Sequence, residues 1–261
     1  MIDVSVADTY VILAGLVGAV VWEVLTWWWG LPTSSSHALI GGYAGVAVAK
    51  AGIGVLIAAG WMKTMMFIVL APLIGLSLGY ALMIAVFWIC RRSSPHRVDG
   101  VFRRLQLLSA AFYSLGHGTN DAQKTMGIIT SLLFSAGLLK TFDVPWKVIL
   151  MCHAVIALGT VFGGWRIVKT MGQRITKLRP VGGFCAETSG ALTLPGTALW
   201  GIPVSTTHTI TGAIMGVGAT QRFSSVRWGV ANRIIWAWIV TIPASAMVSM
   251  VAYRLVTLGG S

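Results

Sequence analysis

Between Ile68 and Cys90 the chain carries no charged residue, and between Trp146 and Trp165 it carries only one. Uninterrupted apolar runs of about 18 residues or more bury themselves in lipid rather than in the core of a small soluble domain. Further apolar segments fall at about 9–29, 33–49, 105–134, 181–200, 203–220 and 228–256, and the runs just named extend to 64–90 and 146–165. Only 10% of the 261 residues are charged, against about 25% in a typical soluble domain. Too few charges remain to cover a water-facing surface. The fold class expected is therefore all-α and polytopic, in contact with the lipid bilayer of a cell membrane. Thirty-one glycines suit the close helix approach that membrane interfaces use.

A formal net charge of +12 would suggest nucleic acid in a soluble protein. Here the Lys and Arg residues collect in particular connections. Residues 91–104 and 166–179 hold five each and 221–233 hold three, whereas 50–63 and 135–147 hold two each. The positive-inside rule places the first three connections in the cytoplasm and the other two outside. The parity is consistent for two single crossings, 105–134 and 146–165, and for two further ones, 64–90 and 228–256. The pairs 9–29/33–49 and 181–200/203–220 each begin and end on one side, as two crossings or as one re-entrant hairpin. No partner nucleic acid is expected. The short connections suit a bacterial inner membrane.

The chain repeats itself. Gly30-Leu31-Pro32-Thr33-Ser34-Ser35-Ser36-His37 matches Gly201-Ile202-Pro203-Val204-Ser205-Thr206-Thr207-His208 at an offset of 171 residues, which also aligns Gly41 with Gly212, Gly45 with Gly216 and Pro72 with Pro243. The charge distribution has the copies entering from opposite sides, the arrangement of inverted-repeat transporters, which bind substrate where broken helices meet. The division expected is 1–90 as the C-terminal part of a first repeat, 91–104 as a basic cytoplasmic linker and 105–261 as a second repeat. Pro32 and Pro203 are expected to open the first helical turn, with Ser and Thr capping it. A helix N-terminus with hydroxyls and bare amides attracts an anion. The alternative is that these residues only cap hairpin arms.

Segment 105–134 is interrupted by Gly116-His117-Gly118-Thr119-Asn120-Asp121-Ala122-Gln123-Lys124-Thr125-Met126-Gly127. Ionisable residues in a spanning segment are expensive and mark functional sites. Asp121 either binds a sodium ion or carries a proton. Thr119, Asn120 and Gln123 offer neutral ligands to a cation or to a phosphate. Lys124 either neutralises Asp121 or attracts the anion.

The stretch from His117 to Gly127 resembles the signature of the inorganic phosphate transporter family. The two Gly-x-Pro-x-Ser-x-x-His elements resemble that family's paired hairpins, and so does Gly163-Gly164-Trp165-Arg166-Ile167-Val168-Lys169-Thr170. The resemblance covers nearly the whole chain. It implies import of inorganic phosphate, free or as a neutral metal complex, coupled to H+ or Na+, by a membrane homodimer. It maps phosphate contacts to Ser34, Ser35, Ser36, Gln123, Ser205, Thr206 and Thr207, and the coupling ion to Asn120 and Asp121, with Thr119 beside them. The family carries an Asn-Asp motif in each half. Here the first would fall about 50 positions before Met1, so truncation or a partner chain is expected.

Lesser candidates complete the set. His37 and His208 support the hairpin tips or touch the substrate. Glu187 pairs with a basic residue or lines the ion path. Glu23, among Trp22 and Trp27 to Trp29, is either a proton relay or an interfacial residue in an aromatic belt. His153 is expected to be a packing residue, and the cysteines Cys90, Cys152 and Cys185 match no metal or redox spacing. No nucleotide loop, metal cluster or nucleophile–base pair is found, so neither an enzyme nor a cofactor is expected beyond the coupling ion. The competing readings are a carrier of sulfate or another oxyanion, and a non-transporting subunit.

Overall fold

The computed structural model describes Ile2, Val6, residues 8–199 and residues 204–258. Every named element among them is a helix, as the apolar segments predict. The main α-helices are α1 (Thr9–Trp29), α2 (Ser35–Ala51), α3 (Ala58–Cys90), α4 (Pro95–Ser135), α5 (Trp146–Gly163), the short α6 (Trp165–Lys169), α7 (Pro180–Leu199), α8 (Thr206–Ala219) and α9 (Trp228–Leu258). Four of these, α1, α3, α5 and α9, are long and apolar enough to cross a membrane. Only 11% of the apolar window of α5 is buried within the protein, as expected of a surface wetted by lipid rather than by water.

Two helical hairpins organise the chain. Helices α1 and α2 pack on each other, as do α7 and α8. In the first, Gly30 takes the left-handed conformation (φ 68°), and Leu31 N–H closes back to the Thr26 carbonyl at 2.9 Å. That turn places Thr33 Oγ1 2.9 Å from Thr26 Oγ1. The prolines sit differently from expectation. Helix α2 begins at Ser35 with Ser34 as its cap, so Pro32 precedes the cap by two residues. Its carbonyl, which any residue could offer, accepts from Trp238 Nε1 at 3.0 Å, and its ring serves to end the turn rather than to start the helix. Pro203 and Gly201 lie outside the described residues. With 14 residues, α8 reaches only about 21 Å, short of the roughly 30 Å hydrocarbon core.

The compact units cut across the sequence repeat. One comprises residues 1–63, 118–164 and 236–261, the other residues 64–117 and 165–235. The reason is visible in the glycines. In the first unit a Cβ on Gly45 would lie 2.5 Å from the Ala246 carbonyl oxygen, and one on Gly41 would overlap the backbone at Ile242. In the second unit a Cβ on Gly212 would overlap the Pro72 carbonyl, and one on Gly216 that of Leu76. Each hairpin thus lays its second arm on the proline-bearing helix of the other copy: α2 on α9, and α8 on α3. Bare helix faces let the backbones meet. Proline within α3 and α9 removes a helical hydrogen bond. Around Pro243 the hydroxyls of Thr241 and Ser245 bond back to the Ala237 and Thr241 carbonyls at 2.6 and 2.8 Å, which keeps polar groups paired in an apolar setting.

The basic stretch 91–104 is mostly helix, because α4 already starts at Pro95. That helix runs without a break through the glycine-rich polar signature. Its first part belongs to the second unit, and from Gly118 onward it belongs to the first.

Candidate functional site

In the first unit, the tip of the α1–α2 hairpin and the signature of α4 supply one polar cluster. Ser34 caps α2 by accepting the His37 N–H at 3.4 Å. Such caps hold the first turn with its remaining amides pointing outward. Ser35 Oγ donates to Glu23 Oε2 at 3.4 Å and Thr33 Oγ1 to Glu23 Oε1 at 3.3 Å. Lys124 Nζ donates to Ser36 Oγ and to Asp121 Oδ1, the latter at 2.8 Å in an i,i+3 ion pair with the two side chains 24% and 18% exposed. Helical spacing explains the second contact, since residues three apart share a face. The opposite face of α4 carries Ala122 and Met126, which pack with Val148 and Cys152 of α5. Apolar packing on one side therefore turns Asp121 and Lys124 toward the other.

Glu23 is where the sequence reading needs correction. It is a constituent of the tip, six residues before the end of α1, a role that its place among the tryptophans did not suggest. Its hydroxyl partners lie across the turn, ten and twelve positions on. The signal that would have found it is a carboxylate in the last two turns of one arm facing hydroxyls at the start of the next. Thr33, buried at 8%, was overlooked with it. Gln123 and Thr119 lie exposed on α4 and Asn120 is half-buried.

The second unit holds the other tip. Ser205 caps α8, accepting the His208 N–H at 3.2 Å. Its carbonyl takes the Thr209 hydroxyl at 3.0 Å. Tyr113 OH donates to the Thr206 carbonyl at 3.4 Å. Ser205, Thr206 and His208 are all buried, and Thr207 is half-buried. Glu187 does not pair with a basic residue. Its carboxylate accepts from Ser109 Oγ at 2.6 Å and from Gln106 Nε2 at 3.5 Å, two α4 residues that went unnoticed for want of charge. Gly183 leaves room for the Gln106 amide beside α7. Glu187 also lies twelve residues before the end of α7, about 18 Å along the axis, so it is not a tip residue. The candidate residues are thus shared between units: Ser34 to Ser36, His37 and Thr119 to Lys124 in one, Ser205 to His208 and Glu187 in the other. Among the described residues no group of three or more metal-ligating side chains gathers.

Spanning helices that bring carboxylates, an ammonium and helix-capping hydroxyls together at a hairpin tip define a multi-pass membrane protein with an internal polar site. Residues 1–249 match the model of the phosphate transporter family, and the chain belongs to that family, whose members are transporters and not enzymes. It is 55% identical over 254 residues to a probable low-affinity inorganic phosphate transporter of Rhizobium meliloti, covering 97% of this chain and 76% of that one. Its counterpart in Bacillus subtilis is 43% identical, over 95% of this chain and 75% of the relative. Among solved structures, a sodium-dependent phosphate transporter superposes with a TM-score of 0.80 at 24% identity, covering 95% of this chain and 80% of that one. That likeness bears on the fold.

Proposed function

We propose that this chain is a secondary active transporter that imports inorganic phosphate, driven by a gradient of H+ or Na+. Membership of the family supports the substrate class. The single observation that carries the mechanism is the Lys124 ammonium held jointly by Asp121 and Ser36. Ser34, Ser35 and Ser36 offer hydroxyls and α2 offers its N-terminal amides, a combination that suits a tetrahedral oxyanion. Gln123 completes this set, and Ser205, Thr206 and Thr207 serve the same purpose at the α8 N-terminus.

Coupling follows from exchange of partners. A phosphate arriving at the α2 N-terminus attracts the Lys124 ammonium away from Asp121. The carboxylate left behind then takes a proton or a sodium ion, with Asn120 and Thr119 as neutral ligands. Binding of the anion and of the cation favour one another, as linkage demands. Tracts of exposed apolar surface support residence in the bilayer.

The test is uptake of labelled phosphate into proteoliposomes under an imposed pH or sodium gradient. Phosphate uptake that unlabelled sulfate fails to compete supports the reading, and the effective gradient names the ion. Equal competition by sulfate would make this a carrier of another oxyanion. Binding without uptake would make it a non-transporting subunit. Within the same assay, Ser205→Ala with Thr206→Val is expected to weaken phosphate binding; unchanged binding would remove the second tip from the site.

A further inference from the structure

At the end of the second unit that carries the basic connections, four segments enclose a cavity of about 290 Å³. The end of α3, the start of α4, the start of α7 and the end of α8 form its walls. Arg91, Lys177 and Arg179 line it, against Asp99 as the one carboxylate, while the remainder is mostly apolar, Phe87 among it, with the neutral polar Ser93, Thr176 and Gln221. The ion pairs formed among the described residues, Lys50–Asp8 and Lys124–Asp121, involve none of these cations. The cavity lies in a different unit from the Asp121 cluster.

The backbone builds this arrangement. The chain leaves α6 through a π-helical stretch, Thr170–Ile175, and turns to extended at Thr176 (φ −151°, ψ 159°). Single π-turns recur at functional sites. Arg227 N–H bonds to the Ile175 carbonyl at 2.9 Å, and Gly218 of α8 has no side chain where Thr176 approaches, a Cβ there lying 3.1 Å from its hydroxyl. The backbone that carries the exposed side chains of Lys177 and Arg179 is therefore held by a turn that ends where Pro180 starts α7. Arg91 is positioned over the Trp88 ring at 5.2 Å. The Lys and Arg distribution puts all three on the cytoplasmic side.

A cavity at the small end of the ligand range, with a cationic rim and an apolar wall, fits a compact anion. We propose that it binds a phosphate-bearing anion at the cytoplasmic edge of the membrane. Two sources share that chemistry: the headgroup of an anionic phospholipid, whose glycerol region would meet the apolar wall, and free inorganic phosphate. The inference concerns binding and stands apart from the transport reading.

Cys90 lines the cavity, whereas Cys152 and Cys185 are buried, so alkylation of Cys90 reports occupancy. The full chain is placed in nanodiscs of phosphatidylcholine, of phosphatidylcholine with phosphatidylglycerol, or of phosphatidylcholine with millimolar inorganic phosphate. Neutral N-ethylmaleimide is added and Cys90 modification is followed by peptide mass. An occupant at ten times its Kd slows labelling about tenfold. Slowing with phosphatidylglycerol identifies the lipid, and slowing with inorganic phosphate identifies the free anion. Loss of that protection in the triple variant Arg91→Gln, Lys177→Gln, Arg179→Gln, whose labelling in phosphatidylcholine alone matches wild type, completes the case. Equal labelling in all three wild-type samples overturns the proposal, as does protection that survives undiminished in the variant. Should the variant fail to fold, the wild-type samples decide.

Discussion

The two hairpins descend from one sequence pattern and use one packing device, yet their polar groups are compensated differently. In the first unit the carboxylate of α4 is balanced by a full charge, Lys124, beside the hairpin tip. In the second unit the carboxylate of α7 is balanced by neutral donors, Ser109 and Gln106, well away from the tip. The second arms differ too. Twelve of the 14 residues of α8 are buried, but only eight of the 17 in α2, so α8 is set as a core helix and α2 as a more open one. Equal sequence signatures thus give, among the described residues, a first tip with Asp121 and Lys124 beside it and an α8 start whose Ser205, Thr206 and His208 are buried. The charge arrives because the Asn120-Asp121 pair belongs to the second copy in sequence and to the first hairpin's unit in space.

This contrast can be broken most forcefully at Lys124. Lys124→Met takes the ammonium from a half-buried carboxylate and is expected to cost about 3 kcal/mol. Glu187→Gln, which exchanges one neutral-donor partnership for another, is expected to cost about 1 kcal/mol. Thermal unfolding in detergent compares them, and equal losses would mean that the units are compensated alike. The shared packing is tested next. Gly45→Val and Gly216→Val each push a side chain into a facing backbone, with an expected loss of about 1–3 kcal/mol for either. A substitution that is harmful in one unit and neutral in the other would end the claim of a common device. The helix caps come third: Ser34→Ala and Ser205→Ala should each cost about 1 kcal/mol, read from the same unfolding curves.

The smallest effect lies at the open end of the first hairpin. Asp8 caps α1 through Val11 N–H at 2.8 Å and pairs with Lys50 Nζ at 2.7 Å. Partial burial pushes its carboxyl upward, but the Lys50 ammonium and the α1 amides outweigh that and hold it below the ordinary aspartate range. A depressed folded value means stability that is present above the unfolded aspartate value, about 4, and lost as pH falls through the folded one. The pair is well exposed, so Asp8→Asn should cost about 0.3–1 kcal/mol. The difference from wild type should vanish in acid, and a difference that persists there would assign the effect to packing.

Much of this architecture was legible in the residues. Long apolar runs marked the helices, and the repeated Ser/Thr clusters marked both tips, because helix caps and hydrophobic length act locally. Pro32 misled because a proline before a cap and a proline at the first helical position look alike in sequence. The partners of Glu23 depend on how tightly the turn at Gly30 closes. Those of Glu187 depend on which stretch of α4, 78 to 81 residues earlier in the same copy, comes alongside α7. A repeat shows that two segments are alike and says nothing of which one each will pack against, so the exchange of α3 and α9 between hairpins emerged only in three dimensions.

Asp121 is the group proposed to tie phosphate movement to an ion gradient. The most direct measurement compares Asp121→Asn with wild type in proteoliposomes, for gradient-driven accumulation of labelled phosphate and for phosphate–phosphate exchange without a gradient. With Asp121 as the coupling group, accumulation falls at least about 100-fold, equivalent to about 2.7 kcal/mol, while exchange persists. Accumulation at the wild-type rate in Asp121→Asn would contradict that role.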